Sequence, residues 1–280
     1  MMASNSLIKN ITKASLIGLL AVIINYIPLE KIIGIPSTVG VAGAMPTIYY
    51  IPMFFIYGLI ALVFANIKSN LSLGKGTAFI VVFSFFFTID TLLSSLEGNF
   101  FIDNYPLAFN LLHGFIKTII ITFGICYLWK QEDTTINITA HVKNYFKSRS
   151  LFSWIWRFIT ILILSFIIYV ILGALAYPIT GPYMEKLIKI PSMLENFTIT
   201  ILRGIAYLLV TLPIIIFWKN SSKSLFLNLA LINILLYPVL GYAFSYFFPV
   251  VFRLTDGLVL SLHVTSLSWL QTKLLKKLKT

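Results

Sequence analysis

Six ionisable side chains and one amide stand in stretches that are otherwise apolar. Arg253 and Asp256 lie three residues apart in FPVVFRLTDGL, from Phe248 to Leu258. Asn110 and His113 hold the same places in YPLAFNLLHGF, from Tyr105 to Phe115. Asp90 and Glu97 share a third apolar run, and Arg203 lies in a fourth. Arginines in such settings bind anionic groups, and carboxylates and imidazoles carry protons or act as general acids and bases. Residues at i and i+3 on a helix are neighbours, so Arg253 and Asp256 can pair, with Asn110 and His113 projecting from the corresponding face.

These groups matter because of the medium around them. The chain has 280 residues, of which 59% are hydrophobic and 11% charged, with mean hydropathy +0.93. A soluble domain carries roughly 25% charged residues, so the composition is that of an integral membrane protein. Runs such as TIYYIPMFFIYGLIALVFANI and WRFITILILSFIIYVILGAL meet the ~20 residues needed to cross a hydrocarbon core. A charge at the bilayer centre costs from about 2.5 to well over 10 kcal/mol, which demands an account of each buried ion.

Hydropathy and punctuation predict eight spans, near 12–29, 47–66, 77–97, 105–128, 153–177, 197–218, 223–247 and 250–274. Placing the N-terminus in the cytoplasm puts Lys68 and Lys75, then Lys130, Lys143, Lys147 and Arg149, then Lys219 and Lys223, and finally Lys273, Lys276, Lys277 and Lys279 on the cytoplasmic side. The opposite loops hold Glu97 and Asp103, or balanced sets such as Glu185, Lys186, Lys189 and Glu195. This obeys the positive-inside rule and predicts both termini cytoplasmic. Lys9 and Lys13 before an apolar stretch, with small residues at Ala42 to Ala44, invite a signal-peptide reading; Glu30 and Lys31 interrupt the approach to that site, so the run is read as a retained first span.

The two polar motifs also organise the chain. Each has an aromatic–proline start, an apolar pair, Phe, a polar residue, Leu, and a second polar residue followed by Gly114 or Gly257. A second match, IGIPS (Ile33 to Ser37) against IKIPS (Ile188 to Ser192), comes in the same order. The expected architecture is all-α, two parallel four-helix repeats related by a pseudo-twofold axis along the membrane normal: residues 1–128, a basic cytoplasmic linker 129–152, and residues 153–280. Ser37 and Ser192 are expected to cap the spans that follow them, as segments lying at the interface rather than re-entering the membrane.

Depth then sorts the polar residues. Glu97, Asp103, Arg253 and Asp256 fall near the non-cytoplasmic boundary, and Arg157 near the cytoplasmic one, where long side chains snorkel. Asp90 lies about 10 Å further in than Glu97, two turns away on one face. His113 and Arg203 sit about a third of the way across, and Lys117 and His263 approach the middle of their spans. The expectation is one polar cluster of Asp90, Glu97, Asn110, His113, Arg203, Arg253 and Asp256, acting as a clasp between the halves or as the lining of a wet cavity.

Other chemistries find little support. GKGT at Gly74 to Thr77 lacks the spacing of a phosphate loop, and HExxH and GxSxG are absent. The histidines are scattered and Cys126 is the one cysteine, so neither a metal site nor a cofactor is expected. The net charge of +12 is assigned to topological anchors and to contacts with anionic lipid headgroups on the cytoplasmic side, not to nucleic acid. The segment NITAHVKNYFKSRSLFSWIW reads as a linker on the membrane surface. The leading functional reading is a carrier or binding protein for a small anionic or amphiphilic substrate in a bacterial inner membrane. The alternatives are an intramembrane enzyme using Asp90, Glu97 or His113, and a non-catalytic assembly subunit.

Overall fold

In lipid a backbone must satisfy its own hydrogen bonds, and this sequence does so with helices. The computed structural model describes residues 2–27, 47–102, 105–130, 136–187, 192–244 and 248–276. Among them are eight helices long and apolar enough to cross a membrane: Ser6–Tyr26, Thr47–Ser69, Lys75–Phe101, Leu107–Leu128, Leu151–Met184, Leu194–Phe217, Ser222–Tyr242 and Val250–Leu275. They match the expected eight in number and place. The largest difference is in the fifth helix, which runs through Pro178 and Pro182 to Leu187 instead of ending before the first proline. Prolines are tolerated in membrane helices because side chains and neighbouring helices compensate the lost amide bonds.

Helix starts follow capping chemistry. Ser192 accepts a hydrogen bond from the Glu195 amide at 3.3 Å, and its own amide donates to Glu195 Oε2 at 2.7 Å, a capping box opening the sixth span. This is the capping role expected of Ser192; Ile33 to Ser37 and Ile188 to Pro191 lie outside the described residues. Ser221 caps the seventh span through the Ser224 amide. The first and second spans approach closely through small residues. A Cβ on Gly18 would fall 2.3 Å from the Phe54 carbonyl oxygen, and one on Gly58 would fall 3.3 Å from that of Ala14.

Contacts gather one end of every span. Trp129, after the fourth span, donates its indole N–H to Asn10 at the start of the first, at 3.0 Å. Lys68 at the end of the second span donates to the carbonyl oxygens of Cys126, at 3.1 Å, and Trp129. At the end of the eighth, Arg157 donates to Leu274 O at 2.6 Å, and Arg149 to Leu274 O and Leu275 O at 3.2 Å each. The linker helix Ile138–Lys147 joins the same end, with the Tyr145 hydroxyl donating to Leu275 O at 2.8 Å and His141 within 3.1 Å of Ile216 O. The fourth and eighth helices therefore each end on cations that hold their orphan carbonyls. Lys68, Arg149 and Arg157 turn inward to the protein, a use of charge that counting loop lysines does not anticipate.

Two connections also meet at this end. Ser72 N donates to Phe217 O and Lys219 N to Asn70 O, both at 2.9 Å, a reciprocal antiparallel bridge between Leu71 and Trp218. Asn220 donates to the Asn70 side chain beside it. The third span contacts the fourth and sixth, and the seventh contacts the eighth and second. In both the third and the seventh span the α-helix opens into a π-helical turn, Phe87–Leu93 and Leu235–Val239, and these two turns touch. Such wide turns insert an extra residue into the helical period and re-aim the side chains beyond it.

Candidate intramembrane polar site

The acidic residues of the third span turn to different partners. Asp90, inside the π-helical turn, meets Lys117 of the fourth span, with Nζ 2.8 Å from Oδ2. Thr91 donates to the same oxygen at 3.3 Å, and the Lys117 ammonium lies 5.8 Å from the centre of the Tyr57 ring. Glu97, beyond the turn, faces the sixth span: Arg203 places Nη2 at 2.6 Å and Nε at 2.7 Å from Oε1. Tyr237, from the π-helical turn of the seventh span, donates to Oε2 at 2.5 Å. An α-helix would have put Asp90 and Glu97 on one face; the wide turn between them breaks that period.

Arg203 is 3% exposed and is enclosed by aromatic faces. Its guanidinium lies 5.1 Å from the centre of the Tyr169 ring and 5.3 Å from that of Tyr237. Cation–π contact and a carboxylate partner together replace the hydration that burial removes. The polar set continues inward, where His263 sits edge-on to Tyr169 with ring centres 5.4 Å apart and Ser165 Oγ is 2.9 Å from His263 Nε2. Asn233 donates to Ser268 Oγ at 3.0 Å nearby in the chain of buried groups on the seventh and eighth spans. Arg203 Nη1, Tyr207 Oη, His263 Nδ1 and Asn233 Oδ1 are buried with no hydrogen-bond partner among the described residues. Buried polar atoms are normally satisfied, by protein or by water, so this region has capacity to hold a polar guest.

The remaining expected residues lie apart. Asp256 accepts a hydrogen bond from the Tyr242 hydroxyl. Arg253 makes no ion pair with Asp256 among the described residues, and its Nε is buried without a partner. Asn110 donates to Pro106 O of its own helix at 3.2 Å, and His113 stacks on Phe109 with ring centres 5.7 Å apart. The cluster expected from the sequence is resolved into an Asp90–Lys117 pair, a Glu97–Arg203–Tyr237 junction and a Tyr242-bound Asp256. Of its seven members only Glu97 and Arg203 are joined directly; Asp103 lies outside the described residues.

The expected cluster leaves out Lys117 and His263, which the sequence places near mid-span, and the tyrosines. Lys117 had a legible signal, because a lysine at mid-span requires an acid nearby. Tyr169, Tyr237 and Tyr242 had none, since tyrosines in apolar runs read as packing. Among the described residues no group of three or more His, Cys, Asp or Glu side chains is placed to hold a metal ion.

Eight apolar helices around buried ion pairs define a multi-pass helical membrane protein. The chain matches no protein-family model, no curated protein and no solved structure.

Proposed function

We propose that the protein is a carrier or binding protein for a small anionic or amphiphilic solute, and that it works at the junction of two parallel four-helix halves, residues 1–128 and 153–280, joined by the linker 129–152. The halves are related by a pseudo-twofold axis along the membrane normal. Support for that relation comes from the reciprocal bridge at Leu71 and Trp218, the π-helical turns in the third span of each half, and the cation-held carbonyls ending the fourth span of each half. The end carrying Lys68, Arg149, Arg157 and Lys276 is cytoplasmic by the positive-inside rule, with both termini there, and lysines not turned inward meet anionic headgroups. The membrane is a bacterial inner membrane.

One observation carries the reading. Arg203 spends two nitrogens on Glu97 across the junction and keeps Nη1 buried and unpartnered. A carboxylate or phosphate group that replaces Glu97 on the guanidinium gains a planar, always-charged partner in a low-dielectric setting. Movement of the third span against the sixth exchanges the internal acid for the external anion. Thermal unfolding of the purified protein, with citrate, acetate, phosphate and decanoate as probes, tests it. At least one probe raises Tm in the wild type and fails to do so in Arg203→Lys; equal shifts in both proteins, or none in either, contradict the reading.

A structural clasp is the second reading, and it too has its observation. Glu97 is saturated by three short bonds and Asp90 is neutralised at 2.8 Å, which is how buried charges hold membrane helices together.

A further inference from the structure

Asp90, Glu97 and Asp256 are carboxylates of the described spans, and two of them have cations. Asp90 has Lys117 and Glu97 has Arg203. Asp256 has none among the described residues. It is half-buried, and among those residues its hydrogen-bond partner is the Tyr242 hydroxyl. The Tyr242 ring lies against Gly257, where a Cβ would be 3.5 Å from Cδ2, and Phe252 covers it edge-on at 6.4 Å. Phe248 stacks on Phe252 at 4.7 Å, so Tyr242, Phe252 and Phe248 form a run of touching rings, the last two about one and two turns nearer the start of the helix than Asp256.

No cation among the described residues pairs with Asp256. Toward its end of the bundle the packed elements offer Tyr169 and Tyr177 on the fifth span, Arg203 and Tyr207 on the sixth, Tyr237 and Tyr242 on the seventh, and Glu97 from the third; Arg253 and His263 lie on the eighth itself. Neither arginine nor His263 is within ion-pair distance. Arg203 already has its own carboxylate partner in Glu97. An uncompensated carboxylate in such a medium is costly enough that the group neutralises instead. A hard metal cation would need about six oxygen ligands; the described partner here is one phenol.

We propose that Asp256 is a proton-binding site, loaded beside the Tyr242–Phe252 ring pair, and the group through which solute movement is coupled to protons. The coupling rests on the carrier reading; the bound proton does not. Displacement of Tyr242 opens the carboxyl group to water and lets the proton leave.

N,N′-Dicyclohexylcarbodiimide applied to the purified protein in detergent, followed by peptide mass spectrometry, tests the site. This apolar reagent adds the O–H of a protonated carboxyl across a C=N bond, with the proton going to nitrogen, and the adduct rearranges to a stable N-acylurea without a leaving group. Asp256 acquires the adduct when treated at pH 6 and much less of it when treated at pH 9, and Asp256→Asn abolishes it, while Asp90 and Glu97 stay unmodified. Lys117→Met is the access control, since it strips Asp90 of its cation and makes Asp90 reactive. An unmodified Asp256 alongside a reactive Asp90 in that variant overturns the proposal, as does equal labelling of all three acids in the wild type. If Lys117→Met does not fold, infrared spectroscopy decides: a protonated-carboxyl C=O band lost in Asp256→Asn supports the site, and an unchanged spectrum overturns it. An adduct without any anion-dependent shift in Tm would leave the proton site and remove the carrier reading; the reverse would do the opposite.

Discussion

Arg203 bonds Glu97 through both Nη2 and Nε, at 2.6 and 2.7 Å on one oxygen, and these residues are 106 positions apart. The pair ties the third span to the sixth, and hence one proposed half to the other. Removing one partner leaves a buried charge, so Glu97→Leu and Arg203→Met each destabilise by about 3–5 kcal/mol. The double variant loses much less than the sum. Equilibrium unfolding of the four proteins measures it, and strict additivity would mean that the two residues are not coupled.

The same reasoning applies to Asp90 and Lys117 within the first half, with a different signature. Asp90→Asn with Lys117→Met restores most of the stability that Lys117→Met alone removes, because the buried charge is gone. It leaves anion-dependent shifts in Tm intact, since Arg203 is untouched. A loss of those shifts would place Asp90 in the binding site itself.

Gly114 and Gly257 occupy matching positions in the two sequence motifs but face unequal surroundings. A Cβ at Gly114 would come 2.1 Å from Thr91 Cγ2, whereas one at Gly257 would meet Tyr242 at an ordinary 3.5 Å. Gly114→Ala forces the third and fourth spans apart and costs about 1–3 kcal/mol; Gly257→Ala is close to neutral. Thermal unfolding of the two variants side by side is the check, and equal effects would contradict the packing described.

Docking of the linker helix is pH-dependent in a defined direction. Burial pushes the Tyr145 phenol above the ordinary tyrosine value, and its neutral hydroxyl donates to Leu275 O. A raised value in the folded state means that the stabilisation is complete below about pH 10 and is lost as pH rises beyond it. Limited proteolysis at Lys147, followed as pH is raised, therefore shows the linker of the wild type becoming susceptible above that range. Tyr145→Phe removes the alkaline step, at the expense of weaker docking at neutral pH.

The spans were legible because hydropathy acts over some twenty residues and tolerates local irregularity; even the prolines of the fifth helix moved one boundary only. The cap at Ser192 was legible because its chemistry is local. Partner choice for Asp90 and Glu97 was not, since the π-helical turn at Phe87–Leu93 re-aims one acid relative to the other and nothing in the residue types announces it. Lys68, Arg149 and Arg157 counted correctly as charges at one end, yet their use on helix carbonyls depends on which helix ends lie side by side. The tyrosines that complete the site are visible only once helix faces meet.

In a carrier the polar groups at the junction of the halves are reached by water and solute. The most direct measurement replaces Cys126 with alanine and introduces single cysteines at His113, at Thr211, a buried residue of the sixth span whose hydroxyl has no partner among the described residues, and at His263, then follows labelling by a membrane-impermeant methanethiosulfonate from each side of proteoliposomes. The carrier account predicts that Thr211→Cys and His263→Cys both label, and that a solute which raises Tm slows the reaction. Unlabelled cysteines at both positions in folded protein, with His113→Cys alone reacting, would contradict it and leave the buried ion pairs as a clasp.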